Sequence, residues 1–547
     1  MKRSALPFIF LSALALTACG GNAPSSQGSV APAPLTSEEG QGYDLDGNVD
    51  NSNGSLSYEI FVRSFYDSNG DGIGDLNGVK AKIPYLKSLG VKTLWLMPIH
   101  PSPTYHGYDV SDYYGVHPSY GTIDDFDSLV ATARANGIDI MLDMVLNHSS
   151  TQCSWFSESA QDYASGGAGQ GGKADWYVWS DTPKSGYSRH SNGYYYESEF
   201  DSSMPDFNWD CPAMREELDN IFKFWIQDHG VKGFRLDAVK YYYYTRINEN
   251  IAILDFFMET ARKYDPSFYM VGEDWEAKGQ IISYHQSKVQ SFFNFFCAMG
   301  GSDYQTSLVS TAKGSNTGER FCAAVETFEG KIKAKNAEAY SSYFLSNHDT
   351  DRVSASIRED IDQKMAFSIY GLLPGTPWIY YGEEIGMKGK RVTSPEDYSD
   401  VRRRLPMVWS QSNKTGECRF PETNRQDLNN NAQVTLGVED RLAEPDSVLN
   451  HYRKVAEVRN KYPVFKNGVF TSLVNQLNAG EDETHVLAYK IQDGEDYVIV
   501  VTNLEATEID VTSPGTEILD SISATHLVPQ LNGTSLRLGP KSTVIMR

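Results

Sequence analysis

From Tyr58 onward, short apolar runs alternate with amphipathic stretches. The runs Tyr58–Val62, Thr93–Met97, Ile138–Val145, Gly233–Leu236, Phe268–Val271, Ser291–Phe296, Tyr343–Leu345 and Trp378–Tyr381 predict strands. Helical periodicity fills the intervals, for example over Leu76–Leu89, Ile123–Asn136, Met214–Asp228, Asn248–Lys263 and Asp362–Leu373. Strands alternating with helices in this way predict a parallel (β/α)8 barrel. A doubly wound open sheet is the rival, but no Gly-rich phosphate loop follows the first strand. The barrel is expected over 56–146 and 212–445. The stretch between, 147–211, is rich in Gly, Ser, Tyr and Trp and too long for a plain connection, which predicts an insertion domain after strand 3. The last segment, 446–547, opens with a helix near Ser447–Tyr462. It then alternates Val, Ile, Thr and Leu with turn residues, as a C-terminal antiparallel β-sandwich would.

The N-terminus follows a different logic. Lys2 and Arg3 precede an apolar run from Leu6 to Leu16, too short to span a bilayer as a helix. The run ends in Leu16-Thr17-Ala18-Cys19-Gly20, which resembles a bacterial lipoprotein cleavage box. The resemblance implies a signal peptide over 1–18, export, and acylation of Cys19. Several acyl chains on one residue anchor a protein without a spanning helix. Gly, Ser, Pro, Ala and Asn dominate the following stretch, so 19–55 reads as a flexible tether. The expectation is an exported lipoprotein, monomeric, held to the membrane by its lipid anchor only. An oxidising compartment leaves two disulfides and one free thiol open to Cys153, Cys211, Cys297, Cys322 and Cys418, with Cys153–Cys211 and Cys297–Cys322 as candidate pairs.

Charge narrows the partners. Lys and Arg number 48 against 71 Asp and Glu, a net charge of −23, which repels phosphate backbones and argues against nucleic acid. Aromatic residues make up 12% of the chain, enough for stacking platforms as well as core.

Barrels of this kind react at the C-terminal ends of their strands. Four acids stand there: Asp143, Asp237, Glu273 and Asp349, with Arg235, His148 and His348 beside them. Clustered carboxylates repel, which raises at least one pKa and leaves one acid protonated beside one ionised. Glycosidic-bond hydrolysis uses such a pair. The segments Asp143-Met144-Val145-Leu146-Asn147-His148, Gly233-Phe234-Arg235-Leu236-Asp237-Ala238-Val239-Lys240, Val271-Gly272-Glu273-Asp274-Trp275 and Phe344-Leu345-Ser346-Asn347-His348-Asp349 resemble the four sequence regions of the α-amylase family, glycoside hydrolase family 13, in the family's order.

That resemblance implies roles. Asp237 is the expected nucleophile, with Arg235 keeping it ionised, and Glu273 the general acid and base. Asp349 is expected to grip sugar hydroxyls and favour the distorted ring. His148 and His348 are expected to hydrogen-bond the same sugar, while Asp143 orients its neighbours. Tyr105-His106-Gly107-Tyr108 resembles the family's loop beside the cleaved sugar, with Tyr108 stacking on the ring and Asp109 and Arg352 as further contacts. Tyr241–Tyr244 could serve as leaving-group-side platforms or as structure.

The run Asp67-Ser68-Asn69-Gly70-Asp71-Gly72-Ile73-Gly74-Asp75 places oxygen side chains at alternate positions with glycines between, as hard cations prefer. An EF-hand would need Glu where Gly78 stands. The run is similar to a metal loop of oligo-1,6-glucosidase-like relatives. That implies structural Ca²⁺ on Asp67, Asn69, Asp71, the Ile73 carbonyl and Asp75. Asn147 helps hold another calcium in many amylases, and its partners here are open.

Met204-Pro205-Asp206-Phe207-Asn208 resembles a fifth region of a group between oligo-1,6-glucosidases and neopullulanases, with Phe207 where Leu is usual. Ala238 after the nucleophile is similar to members acting on α-1,4 bonds. The resemblance therefore implies an α-amylase acting on starch, glycogen or maltooligosaccharides. Alternatives are α-glucosidase, neopullulanase-like or 4-α-glucanotransferase activity, or a surface glucan-binding protein on an inactive scaffold.

Overall fold

The computed structural model describes residues 54–298, 307–391, 400–420, 434, 436–477, 485–525 and 527–547. The expected signal peptide, Cys19 and nearly all of the expected tether lie outside the described residues.

Eight parallel strands close into a barrel: β1 (Ser57–Ile60), β2 (Thr93–Leu96), β3 (Asp139–Met144), β4 (Gly233–Leu236), β5 (Tyr269–Gly272), β6 (Ser291–Phe293), β7 (Tyr340–Phe344) and β8 (Thr376–Tyr380). Each pairs with the next along the chain, and β8 returns to β1 through Ser57–Trp378, Tyr58–Ile379 and Glu59–Tyr380. Closure excludes the open doubly wound sheet.

The strand most displaced from its apolar run is β7. Its first residues, Tyr340-Ser341-Ser342, look polar, but inside the barrel Ser342 and Ser291 share a hydrogen bond of 2.7 Å. The predicted helix Leu76–Leu89 is two helices, Leu76–Ala81 and Ile83–Ser88, parted at Lys82 with Pro84 in the first turn of the second. Proline lacks the N–H that a continuous helix would need there. Met214–Asp228 likewise becomes an α-helix, Pro212–Phe222, followed by a π-helical stretch over Lys223–Asp228.

Trp95, Met141, Val271, Phe293, Phe344 and Trp378 fill the barrel interior. Large rings make this lumen a packed plug rather than a pore. The Arg235 guanidinium lies 5.2 Å from the Trp95 ring centroid, so the charged cluster described below rests on the aromatic plug.

The insertion holds a helix, Ser154–Ala164, and a small antiparallel sheet of Trp179–Ser180, Tyr195–Glu197 and Tyr187–Arg189. Phe156 stacks on Trp179 at 5.5 Å, and both belong to the apolar cluster that continues into the barrel. The Trp209 indole N–H donates to the Leu146 carbonyl (3.0 Å), and a bridge pairs His148 with Asp206. The insertion is thereby fixed to the end of β3.

Beyond the helix Val448–Lys461, a five-stranded antiparallel sheet faces a three-stranded one over a separate apolar cluster that includes Val501, Leu536 and Val544. Arg459 joins this helix to the barrel. Its buried guanidinium donates to the carbonyls of Gly371 (2.8 Å), Leu373 (2.8 Å), Phe465 (3.3 Å) and Gly375, and to the Ser55 hydroxyl (2.9 Å). Removing it strands buried acceptors, each worth about 1–3 kcal/mol. Arg459→Ala is expected to destabilise the fold by about 3 kcal/mol, read as a lower guanidinium midpoint. A midpoint equal to wild type would contradict this role.

One expectation is corrected. Cys153, Cys211, Cys297, Cys322 and Cys418 are all buried free thiols, so neither candidate disulfide forms. Among the described residues no helix is long and apolar enough to cross a membrane.

Candidate active site

Strand ends deliver the charged groups to one mouth. Arg235 and Asp143 are direct neighbours across the β3–β4 register, and Leu236 pairs with Gly272, one residue before Glu273. Arg235 is the hub. Its Nη1 donates to Asp143 Oδ1 (2.9 Å) and to Asp237 Oδ1 (2.5 Å), and its Nη2 lies 3.7 Å from Glu273 Oε2. One buried cation thus touches three carboxyl groups drawn from three strands.

The backbone turns sharply just after Asp237. Ala238 adopts φ 51°, a left-handed conformation that costs a Cβ-bearing residue on the order of 1 kcal/mol. This turn aims the Ala238 N–H at Glu273 Oε2 (2.9 Å). Burial raises the Glu273 carboxyl above its ordinary range. Arg235 opposes the rise, and Asp237 and Asp349 add to it. Burial also lifts Asp143 to about 7, against the pull of Arg235.

Asp349 is built differently. Burial alone would raise it, but His348 and Arg404 hold it well below the ordinary carboxylate range. His348 Nε2 lies 3.0 Å from Asp349 Oδ2, and Arg404 Nη2 donates to Oδ1 at 2.9 Å. On its other side, His348 Nδ1 meets Glu59 Oε1 at 2.5 Å. Burial works against the imidazolium, yet Asp349 and Glu59 raise the His348 pKa to about 9. The imidazole is therefore charged at neutral pH, a fixed cation beside a fixed anion.

Tyr108 stacks on His348 (5.5 Å, 14°), and its hydroxyl donates to Asp143 Oδ2 (2.9 Å). His148 Nε2 meets the Tyr108 carbonyl at 3.2 Å, and burial lowers its pKa. Asp237, Glu273, Asp349, Tyr108, His148, Arg235 and His348 are therefore linked through direct contacts.

Two expected contacts fall elsewhere. Arg352 is buried beneath the site: Nη1 donates to the Tyr381 carbonyl (2.6 Å), Nε to the Arg403 carbonyl (2.9 Å), and the guanidinium lies over the Tyr380 ring (4.3 Å). Backbone carbonyls and a ring take up this side chain, and Arg404 occupies the position beside Asp349 instead. Asp109 turns into its own loop, where Ser102 Oγ (2.6 Å) and the Thr104 hydroxyl donate to Oδ1.

Arg404 and Glu59 were not singled out from the sequence. Arg404 sits in Arg402-Arg403-Arg404, in irregular chain after β8, and nothing local separates it from its neighbours. Glu59 carried a readable signal, an acid inside an apolar strand run.

At the Asp67–Asp75 loop, Gly70 and Gly72 take φ 85° and 96°, conformations that glycine adopts without strain. Asp67 Oδ1 accepts from the Gly70 N–H (2.7 Å) and Oδ2 from the Gly72 N–H (2.7 Å). Asn69 accepts from Asp71 N–H (2.9 Å) and Asp71 from Ile73 N–H (2.7 Å). Asp75 caps the following helix by accepting from Gly78 N–H (2.7 Å). Burial raises the Asp75 carboxyl, and the Asp67 charge adds to the rise. Among the described residues no three His, Cys, Asp or Glu side chains converge into a metal cluster.

A packed parallel barrel with this carboxyl cluster at its mouth defines a barrel glycoside hydrolase. The family profile described as "Alpha amylase, catalytic domain" matches residues 59–468, and the chain belongs to that family, glycoside hydrolase family 13. "Alpha-amylase 3" of Dictyoglomus thermophilum is 37% identical over 501 residues, covering 90% of this chain and 93% of that protein. "Oligo-1,6-glucosidase" of Parageobacillus thermoglucosidasius is 28% identical over 535 residues, covering 82% of this chain and 89% of that protein. Among solved structures, Eubacterium rectale Amy13B superposes with a TM-score of 0.81 at 31% identity, covering 91% of this chain and 96% of that one.

Proposed function

We propose that this family 13 hydrolase cleaves α-1,4-glucosidic bonds of starch, glycogen and maltooligosaccharides with retention of configuration. The observation that carries the reading is the Arg235 hub, which binds Asp237 closely while Glu273, farther off, has a raised pKa. A carboxylate held against a buried cation suits a nucleophile, and a neighbour whose pKa is raised suits the acid that serves the leaving oxygen. In the first step Asp237 attacks the anomeric carbon while Glu273 gives its proton to the departing sugar. In the second, Glu273 takes a proton from water, which displaces Asp237. Asp349, held ionised by His348 and Arg404, binds sugar hydroxyls and stabilises the positive charge that builds on the ring.

The 37% identity to a protein named an α-amylase supports α-1,4 specificity, and so does Ala238. The relative named an oligo-1,6-glucosidase favours α-1,6 bonds as the second reading. Product analysis on maltoheptaose and isomaltotriose decides between them. Rapid cleavage of maltoheptaose supports the α-1,4 assignment, and cleavage of isomaltotriose alone overturns it.

Structural calcium belongs to the same proposal. The loop's donors are all oxygen, and Asp67 and Asp75 stand close enough to repel, which a divalent cation relieves. Asp67, Asn69, Asp71, the Ile73 carbonyl and Asp75 would hold the ion, which would cross-link the loop ahead of the first barrel helix. Chelation is expected to lower Tm by several degrees while kcat at 25 °C changes less than about twofold. A melting curve insensitive to chelator and to added Ca²⁺ would remove the site.

Export and acylation at Cys19, with the enzyme acting as a membrane-tethered monomer, complete the proposal. The sequence box Leu16–Gly20 supports it. Labelled fatty acid should enter wild type and not Cys19→Ser.

A further inference from the structure

Asp274 follows Glu273 directly in the chain and is fully buried, yet neither of its carboxyl oxygens has a hydrogen-bond partner among the described residues. An ion taken out of water needs donors or a counter-charge in exchange, so ionising this side chain is costly. Burial lifts Asp274 to about 7, with Glu273 and Glu276 adding to the rise and Lys240 opposing it.

The turn after Asp237 clamps the chain on both sides of Asp274. The Ala238 N–H holds the Glu273 side chain, and the Val239 N–H donates to the Glu273 carbonyl (3.1 Å). Lys240 reaches past Asp274 to the Trp275 carbonyl (3.5 Å) and to Glu276 Oε1 (2.5 Å), and gives Asp274 no hydrogen bond. The remaining titratable group acting with Asp274 is Tyr284, on the helix Lys278–Tyr284. Burial pushes Tyr284 up to about 12, with Asp274 adding to the rise, so it is uncharged at neutral pH. Glu273 has the Ala238 N–H and nearby Arg235 to steady its charge, and Asp274 has neither. Glu273 therefore gives up its proton first. Adjacent carboxyls titrate as a pair, because each negative charge opposes the other.

We propose that Asp274 is a positioning residue for acid–base catalysis, titrating as one pair with Glu273 so that its negative charge holds a proton on Glu273 where a lone glutamate would have lost it. The inference rests on the assignment of Glu273 as the acid. Its consequence is a wider working range: as Asp274 ionises, a fraction of Glu273 stays protonated and can still serve the leaving oxygen.

The test is the pH profile of kcat/KM on maltoheptaose for the full-length protein, Asp274→Asn and Asp274→Ser. Both variants remove the charge, and both are expected to move the alkaline limb down by about half a pH unit or more. The acidic limb, in which Asp274 takes no part, stays in place. A limb that does not move, or a loss of kcat/KM equal at every pH, overturns the pairing and leaves Glu273 as the acid. A Glu273→Gln variant with the wild-type rate and profile overturns both assignments. Melting curves give a second readout. An acid whose folded pKa lies above its unfolded value takes up a proton on folding, so its contribution to stability falls as pH rises from the ordinary Asp range to about 7. The Tm of Asp274→Asn minus that of wild type should therefore climb by about 2 °C between about pH 5 and about pH 8. A difference that stays level across that range overturns the neutral, buried Asp274 on which the pairing depends.

Discussion

Asp237→Asn is expected to lower kcat on maltooligosaccharides by about 10⁴-fold or more while leaving the fold intact. The amide nearly matches the carboxylate in size and can still accept from Arg235 through its oxygen, so packing over the Trp95 plug is preserved. What is lost is the negative charge and the lone pair that attacks the anomeric carbon. The buried Arg235 cation also loses one of its charge partners but keeps Asp143 at 2.9 Å. Melting temperature should therefore fall far less than activity does. Reducing-sugar release from soluble starch measures the rate, and a variant within tenfold of wild type would remove Asp237 from the mechanism.

Glu273→Gln is the second large effect, and its pH dependence identifies the role. Glu273 must be protonated to serve the leaving oxygen, so kcat/KM of the wild type should fall as pH rises through its pKa. Burial, Asp237 and Asp349 raise that pKa against the pull of Arg235, which puts the alkaline limb above the ordinary glutamate range. Gln carries no transferable proton. In kcat/KM the variant should lose about 10³-fold or more on maltooligosaccharides, yet much less on α-glucosyl fluoride, whose leaving group needs little protonation. On the fluoride kcat still falls, because Gln cannot take the proton from water. On that substrate the alkaline limb should also disappear. Equal losses on both substrates, or a limb that persists, would assign general acid catalysis to another group.

Much of this arrangement is legible along the chain, for a reason of scale. Barrel strands are buried on both faces, so each leaves an apolar run, and the acid ending such a run stands out. Asp143, Asp237, Glu273 and Asp349 were visible in this way, and the helices followed from their periodicity. Side-chain direction is not local. Arg352 and Arg404 both lie in irregular chain, and only the packed fold decides that Arg352 turns to the Tyr381 and Arg403 carbonyls while Arg404 reaches Asp349. Strand β7 was blurred because its serines satisfy one another inside the barrel. The cysteines misled for the opposite reason: burial as small apolar side chains accounts for them without pairing.

The central claim is that Asp237 and Glu273 act on one acetal as nucleophile and acid–base in a double displacement. Proton NMR of the first products from maltoheptaose, recorded before mutarotation, tests it most directly. Two inversions at one carbon predict that the newly formed reducing end appears as the α-anomer. Initial release of the β-anomer would mean a single displacement by water, and would contradict a covalent intermediate on Asp237.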